Sequence, residues 1–354
     1  MTSAATIRVH ASQFPEAVRR DLLASWRTRR VNHKFHYDSL KQTQKWLALH
    51  DAHSPTRYDD DCLATYDRAF TETAEQIKSK AIHVIGLGCG GGKKDSRLLT
   101  LLQARGKNIS YTPSDVSTAM VLVARRAALK VLPAENCFPV VCDLATADDL
   151  PALLATRHPS LVTFFGMIPN FEPQLILPRL ARLVRPQDWL LFSANLAPGA
   201  DYAAGMRRIL PQYDNPLTSD WLTAFLYDLG VDPRAGKLSF TIETGGLGLQ
   251  RIVATFHFTR AGCVDVGGEV FQFKRGEGIR LFFSYRYTAE RVQKTLRKHG
   301  LEVCQQWIAA SEEEGVFLCR SLGTAAETET GKRQHAVPAT GAPWAGRGQK
   351  GGIR

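Results

Sequence analysis

Ala81-Ile82-His83-Val84-Ile85-Gly86-Leu87-Gly88-Cys89-Gly90-Gly91-Gly92-Lys93-Lys94 is the stretch on which the fold turns. A short apolar run enters a glycine-rich turn, and an amphipathic segment, Lys94–Ala104, leaves it. A glycine motif is informative when it follows a strand and opens a helix. Glycine lets the backbone turn tightly and approach a ligand closely. The helix start behind it offers unpaired N–H groups and the positive end of a dipole. Taken alone, the motif is also compatible with a plain tight turn.

The pattern continues downstream. Ile109–Thr112, Phe138–Cys142, Leu161–Phe165 and Trp189–Ala194 are strand candidates. Between them lie helix candidates at Ser117–Lys130, Ala147–Ala155 and Glu172–Val184. Short apolar runs alternating with helices predict βαβ units, and so an α/β fold with a mostly parallel sheet covered on both faces. Upstream, residues 21–80 read as helices and residues 1–20 as loosely ordered. Beyond Pro198 the alternation stops. Residues 199–250 read as helical and irregular, Arg251–Arg260 and Glu269–Phe273 as antiparallel strands, and Thr288–His299 as a helix closed by Gly300. Trp307–Ile308 and Val316–Leu318 read as closing strands. The tail from 321 to 354 has little to bury and is expected to be disordered.

Composition narrows the classes. The chain has 354 residues, 44% of them apolar, enough for a sizeable core. Its longest apolar run, Leu161 to Ile168, falls far short of the roughly 20 residues of a membrane helix. The start of the sequence shows no apolar signal segment. A soluble protein is expected. The formal charge of +11 is compatible with nucleic-acid binding. A basic tail and general solubility are the better account of it, and nucleic acid is not the favoured partner. Seven cysteines, odd in number and without CxxC spacing, suit a reducing cytoplasm rather than a disulfide framework or zinc site. His33 and His36 lack a third ligand, so no metal is expected.

Two acids support the glycine loop. Asp115 ends the second strand candidate and Asp143 the third. A carboxylate at the first place can accept hydrogen bonds from both hydroxyls of a ribose; one at the second can meet the exocyclic amine of adenine. Each could instead be a helix cap or turn residue. Glycines, Asp and Asp on three consecutive strand ends are less readily accidental, and ligands of open α/β sheets bind at those ends. The glycine register disfavours a dinucleotide fingerprint, and Asp95 stands where a Walker loop would carry Ser or Thr. The fourth strand end reads Phe164-Phe165-Gly166-Met167-Ile168-Pro169-Asn170-Phe171-Glu172-Pro173, where Asn170 could orient an amine or simply cap the next helix.

These residues resemble a known family. Gly88-Cys89-Gly90, Lys94, Arg97-Leu98-Leu99, Tyr111-Thr112-Pro113-Ser114-Asp115-Val116-Ser117, Cys142-Asp143-Leu144 and Asn170-Phe171-Glu172-Pro173 are similar to the histidine-specific, S-adenosylmethionine-dependent Nα-methyltransferases of ergothioneine synthesis and their ergot-alkaloid relatives. Lys34-Phe35-His36-Tyr37-Asp38, Pro55-Thr56-Arg57, Tyr213-Asp214 and Ser284 extend the likeness over roughly residues 31–320. The resemblance implies a Rossmann-type class I methyltransferase with a smaller substrate-binding domain. The expected parts are an N-terminal helical portion of that domain (21–80), the Rossmann core (81–197), an insertion completing the substrate lobe (198–285) and a C-terminal completion of the core (286–320). It implies S-adenosylmethionine contacts at Gly88, Gly90, Lys94, Asp115, Asp143 and Leu144. It implies substrate contacts at Tyr37, Asn170, Tyr213, Ser284 and the position of Phe282, with Asn170 and Tyr213 the catalytic pair holding the amino-acid end. A small amine is the implied partner, and the chain is expected to act as a monomer.

The departures bear on the acceptor. Gly86 stands where the family carries an acid, Phe282 where it carries a Glu that recognises imidazole, and His53 and Ser54 where it carries paired tyrosines. A Phe cannot accept a hydrogen bond from an imidazole N–H, and a site built on a polar partner discriminates far more strongly than an apolar one. Scaffold and chemistry therefore carry over better than histidine specificity. Two alternatives stay open: a nucleic-acid or protein methyltransferase, favoured by charge, and a degenerate methyltransferase fold acting as a binding module, favoured by Gly86 and Phe282.

Overall fold

The structure, a computed structural model, describes residues 6–323. The expectation for the tail lies almost wholly outside the described residues. In chain order the elements are β1 (Arg8–Val9), α1 (Pro15–Thr28), α2 (Leu40–His53), α3 (Asp60–Gln76), β2 (Ala81–Leu87), α4 (Lys93–Ala104), β3 (Asn108–Asp115) and α5 (Thr118–Ala128). There follow β4 (Val140–Val141), α6 (Leu150–Leu153), β5 (Ser160–Phe164), α7 (Pro173–Leu183), β6 (Trp189–Asn195), α8 (Tyr202–Ile209) and α9 (Pro216–Asp228). The chain continues through β7 (Gly236–Thr244), β8 (Gln250–Phe258), β9 (Gly262–Val266), β10 (Glu269–Phe273), β11 (Gly278–Arg286), α10 (Ala289–Lys298), β12 (Leu301–Ile308) and β13 (Glu314–Ser321).

Eight strands form one sheet in the order β1-β4-β3-β2-β5-β6-β13-β12. All pair in parallel except β13, which runs antiparallel to both neighbours. Strand order reverses at β2, between β3 and β5, which opens a crevice at the carboxyl ends where the glycine loop lies. This is the α/β, Rossmann-type class I methyltransferase architecture. The strands are apolar throughout because both faces are covered: Ile82, Val84, Leu161 and Leu191 pack with α3 and α4 residues on one side, and Ile85, Val162, Phe164 and Phe192 with α6, α7 and α10 residues on the other.

A second core sits beside the sheet. Leu23 and Trp26 of α1, Trp221, Leu222 and Phe225 of α9, Phe256 and Phe258 of β8, and Leu281 of β11 share it. Its framework is the antiparallel sheet β11-β8-β7, with the ribbon β10-β9 alongside.

Several elements differ from the sequence reading. Residues 8–9 are not loose: Arg8 and Val9 add a parallel strand to the sheet edge at Val140 and Val141, and α1 already starts at Pro15. Such a short, exposed strand carries no apolar run to announce it. Residues 236–244, read as irregular, form β7, whose Leu238, Phe240 and Ile242 do show the period of two. The helix read at Ala147–Ala155 shrinks to Leu150–Leu153, with Pro151 in its first turn. The reading groups residues 60–76 with the N-terminal helices, whereas α3 buries Tyr66, Ala69 and Phe70 in the core of the large sheet.

Candidate active site

One cleft of about 1140 Å³ runs along the carboxyl ends of β2, β3, β4 and β5 and under the second core. Every site residue named from the sequence lines it: Gly88, Gly90, Lys94, Asp115, Asp143 and Leu144 on the sheet side, and Tyr37, Asn170, Tyr213, Phe282 and Ser284 on the other.

The loop is shaped by its glycines. Gly88 and Gly90 have φ of 60° and 49°, in the left-handed region that L side chains avoid. A Cβ on Gly88 would collide with Met167, and one on Gly90 would stand 3.1 Å from Trp46. The loop is thus sandwiched, and bare backbone is what fits. Asp115 organises it: Oδ2 accepts the N–H of Gly90 at 3.1 Å and Oδ1 that of Ser117 at 3.0 Å. Burial pushes the Asp115 carboxyl up to about 6.

Asp143 follows β4. Its Oδ1 accepts the N–H of Ala145 at 2.9 Å, while Oδ2 is buried without a hydrogen-bond donor. Lys34 Nζ, itself buried and hydrogen-bonded to Asp21 at 2.7 Å, stands 3.7 Å from that oxygen. The N-terminal segment closes this end, with Ser12 Oγ accepting the N–H of Asp143. Leu144 is buried against Cys142 and its neighbours. At the opposite end of the loop, Lys94 donates to Tyr66 Oη at 2.7 Å and stands 3.9 Å from Glu314.

Asn170 is the last residue of the short turn Ile168–Asn170 that follows β5. Its Nδ2 donates to the carbonyl of Phe283 at 3.0 Å, which fixes the amide plane and leaves its oxygen as the acceptor. Tyr213 Oη donates to Ser284 Oγ at 2.8 Å and accepts from Arg286 Nη2 at 3.2 Å. Phe282 packs edge-on to Trp221 at 5.6 Å and lies 6.5 Å from Tyr213 and 6.2 Å from His33. Tyr37 lies 5.5 Å from Trp221. Burial, then the charge of Asp115, pushes the Tyr37 phenol up, so it stays protonated.

His33, Arg286, Phe283 and Trp221 were not picked out as site residues by sequence. Alternation along β11 carries the signal for Arg286: with Ser284 in the cleft, residues two apart share its face. His33 and His36 do not converge. His33 Nε2 meets the backbone carbonyl of Asn170 and His36 Nε2 that of Leu281. Burial lowers His33 to about 3 and His36 to about 4. Among the described residues no cluster of His, Cys, Asp or Glu is arranged to hold a metal ion, and no helix is long and apolar enough to cross a membrane.

Residues 16–215 and 248–321 match the family described as histidine-specific, SAM-dependent methyltransferases. The chain belongs to that family. It is a methyltransferase that uses S-adenosylmethionine. Two curated relatives are N-methyltransferase imqF of Aspergillus flavus, 24% identical over 75% of this chain and 73% of the relative, and N-methyltransferase fsqC of Aspergillus fumigatus, 24% identical over 67% and 66%. Among solved structures, magnesium protoporphyrin IX methyltransferase from Synechocystis with bound SAH aligns over 82% of this chain and 98% of that one, at 13% identity and a TM-score of 0.44.

The residues of this methyltransferase suit its cofactor. Asp143 Oδ2 is buried without a hydrogen-bond donor, and each Asp115 oxygen keeps a lone pair beyond its backbone bond.

Proposed function

We propose that the chain is an N-methyltransferase acting on an amino acid or related small amine whose far end is apolar or aromatic. One observation carries the reading: the Asn170 amide and the Tyr213–Ser284 pair face the cleft that holds the glycine loop, and Phe282 walls the part that would receive the acceptor's side chain. The names of imqF and fsqC support nitrogen as the acceptor atom. In this reading Gly88, Gly90, Asp115, Asp143 and Leu144 hold the nucleoside end of the cofactor, and Lys94 lies toward its amino-acid end.

S-adenosylmethionine supplies an activated methyl group when bound. The protein's part is to bind and aim. Asn170, fixed through Phe283, accepts a hydrogen bond from the amine and so points its lone pair. Holding two reactants at near-attack distance contributes up to about 7–11 kcal/mol in the best intramolecular cases. His33 is a poor general base near neutrality, because burial holds it at about 3 and its Nε2 is engaged by the Asn170 carbonyl. The nitrogen must present a free lone pair when it meets the methyl group. Seven free thiols support a reducing compartment.

The test is incubation of the purified protein with methyl-labelled cofactor and a panel of free amino acids and aromatic amines, followed by locating the label. Label on nitrogen is expected. Label on oxygen or carbon only, or on no amine, contradicts the proposal.

A further inference from the structure

Gly86 and Asp95 pose a problem of charge. The end of β2, where Gly86 stands, has no acid. Gly86 has ordinary extended backbone, so its lack of a side chain is a matter of space: a Cβ there would fall within van der Waals contact of Asp95 Oδ2 and 2.9 Å from Tyr111 Oη. Asp95, in the first turn of α4, reaches back beneath the strand end and fills that volume. It is only 3% exposed and lines the cleft.

Its surroundings are incomplete for an anion. Tyr111 Oη donates to Oδ2 at 2.6 Å and Thr163 Oγ1 to Oδ1 at 2.8 Å. Both donors are neutral, and among the described residues no cation pairs with it within 4 Å. A buried carboxylate is costly unless paired, and it keeps acceptor sites beyond two hydroxyl bonds. Burial accordingly pushes its carboxyl up, against the pull of those two bonds and of Lys94. Other acids lining the cleft have cations or backbone N–H groups beside them: Asp115 two N–H groups, Asp51 Lys93 and Arg57, Asp143 Lys34, Glu172 Arg251, Glu313 Arg208 and Glu314 Lys94.

We infer that Asp95, carried on the helix, supplies the carboxylate that the strand lacks at Gly86, and that it serves as counter-charge for the cationic amino group of the cofactor's methionine end. Asp143, Asp115 and the glycine loop follow one another across β4, β3 and β2, and Asp95 sits against Gly86 at the end of β2, spanning from Tyr111 of β3 to Thr163 of β5 next to Lys94. The inference rests on the nucleoside-end assignment of Asp115 and Asp143, and it is independent of the acceptor.

Two ligands test it by calorimetry: S-adenosylhomocysteine, which has the amino-acid end, and 5′-methylthioadenosine, which lacks it. In Asp95→Asn and Asp95→Ser, S-adenosylhomocysteine should bind about tenfold or more weakly, the scale of one charge-assisted bond. 5′-Methylthioadenosine should keep its affinity within about twofold, since the group removed never touches it. Equal weakening of both ligands would reveal a merely structural Asp95 and overturn the inference, as would unchanged binding of both. Asp115→Ala is the control for the assignment beneath it. Weakened binding of both ligands supports that assignment; unchanged binding of 5′-methylthioadenosine removes it, and the inference with it.

Discussion

Tyr213, after α8, donates a 2.8 Å hydrogen bond to Ser284 of β11, and Arg286, two residues along the same strand, backs it at 3.2 Å. This chain of three joins the helical insertion to the strand that carries Phe282. Arg286 is held by the carbonyls of Leu196 and Glu313, so the chain is anchored in the large sheet's connections. Tyr213→Phe removes the donor to Ser284 and the acceptor for Arg286. A loss of roughly tenfold in kcat/KM for the amine is expected, the scale of one hydrogen bond to a charged group. S-Adenosylhomocysteine affinity should stay unchanged. Steady-state kinetics with calorimetry checks both, and a loss of cofactor binding instead would place Tyr213 elsewhere in the work of the cleft.

Asp115 gives a pH dependence. Burial raises its carboxyl from an ordinary 3.8 to about 6 in the free protein. A ligand whose hydroxyls donate to the ionised form lowers that value on binding, so affinity is full above about pH 6 and falls as pH drops through it. Without ligand the sign for folding is opposite: the unfolded chain releases the proton first, and this group's contribution to stability declines as pH rises from 3.8 to about 6. Asp115→Asn should flatten both dependences. Cofactor titrations and thermal melts between pH 5 and 8, an interval of about three units around neutrality, check the signs.

Lys34 is a structural cation beside Asp143. It is 4% exposed and sits between Asp21 at 2.7 Å and Asp143 at 3.7 Å. Removing one member of a buried pair leaves uncompensated charge and costs about 3–5 kcal/mol. Lys34→Met should therefore lower the denaturant midpoint strongly. Asp21→Asn in the same background should recover part of the loss, because it removes one of the stranded carboxylates.

The sheet was legible because its strands are apolar on both faces and separated by helices, a pattern that needs no tertiary information. The glycine loop and the acids at Asp115 and Asp143 were legible for the same reason: topology places strand ends in one crevice. The edge strand Arg8–Val9 was not, since two exposed residues held by pairing with Val140 and Val141 leave no periodic trace. The place of Asp95 was hidden too. That a helix residue occupies the space over a strand glycine depends on the packing of α4 against β2, which no spacing encodes. Phe282 was readable as a departure from the family, but Trp221 and His33, which complete its aromatic surroundings, come from segments far apart in the chain.

The proposal about the acceptor rests on those surroundings. The most direct measurement is the ratio of kcat/KM for an aromatic amino acid to that for histidine, in the unaltered enzyme and in Phe282→Glu. The account predicts a ratio well above one in the unaltered enzyme and a shift toward histidine in the variant, which gains an acceptor for the imidazole N–H. An unaltered enzyme that prefers histidine over every other amine would contradict it.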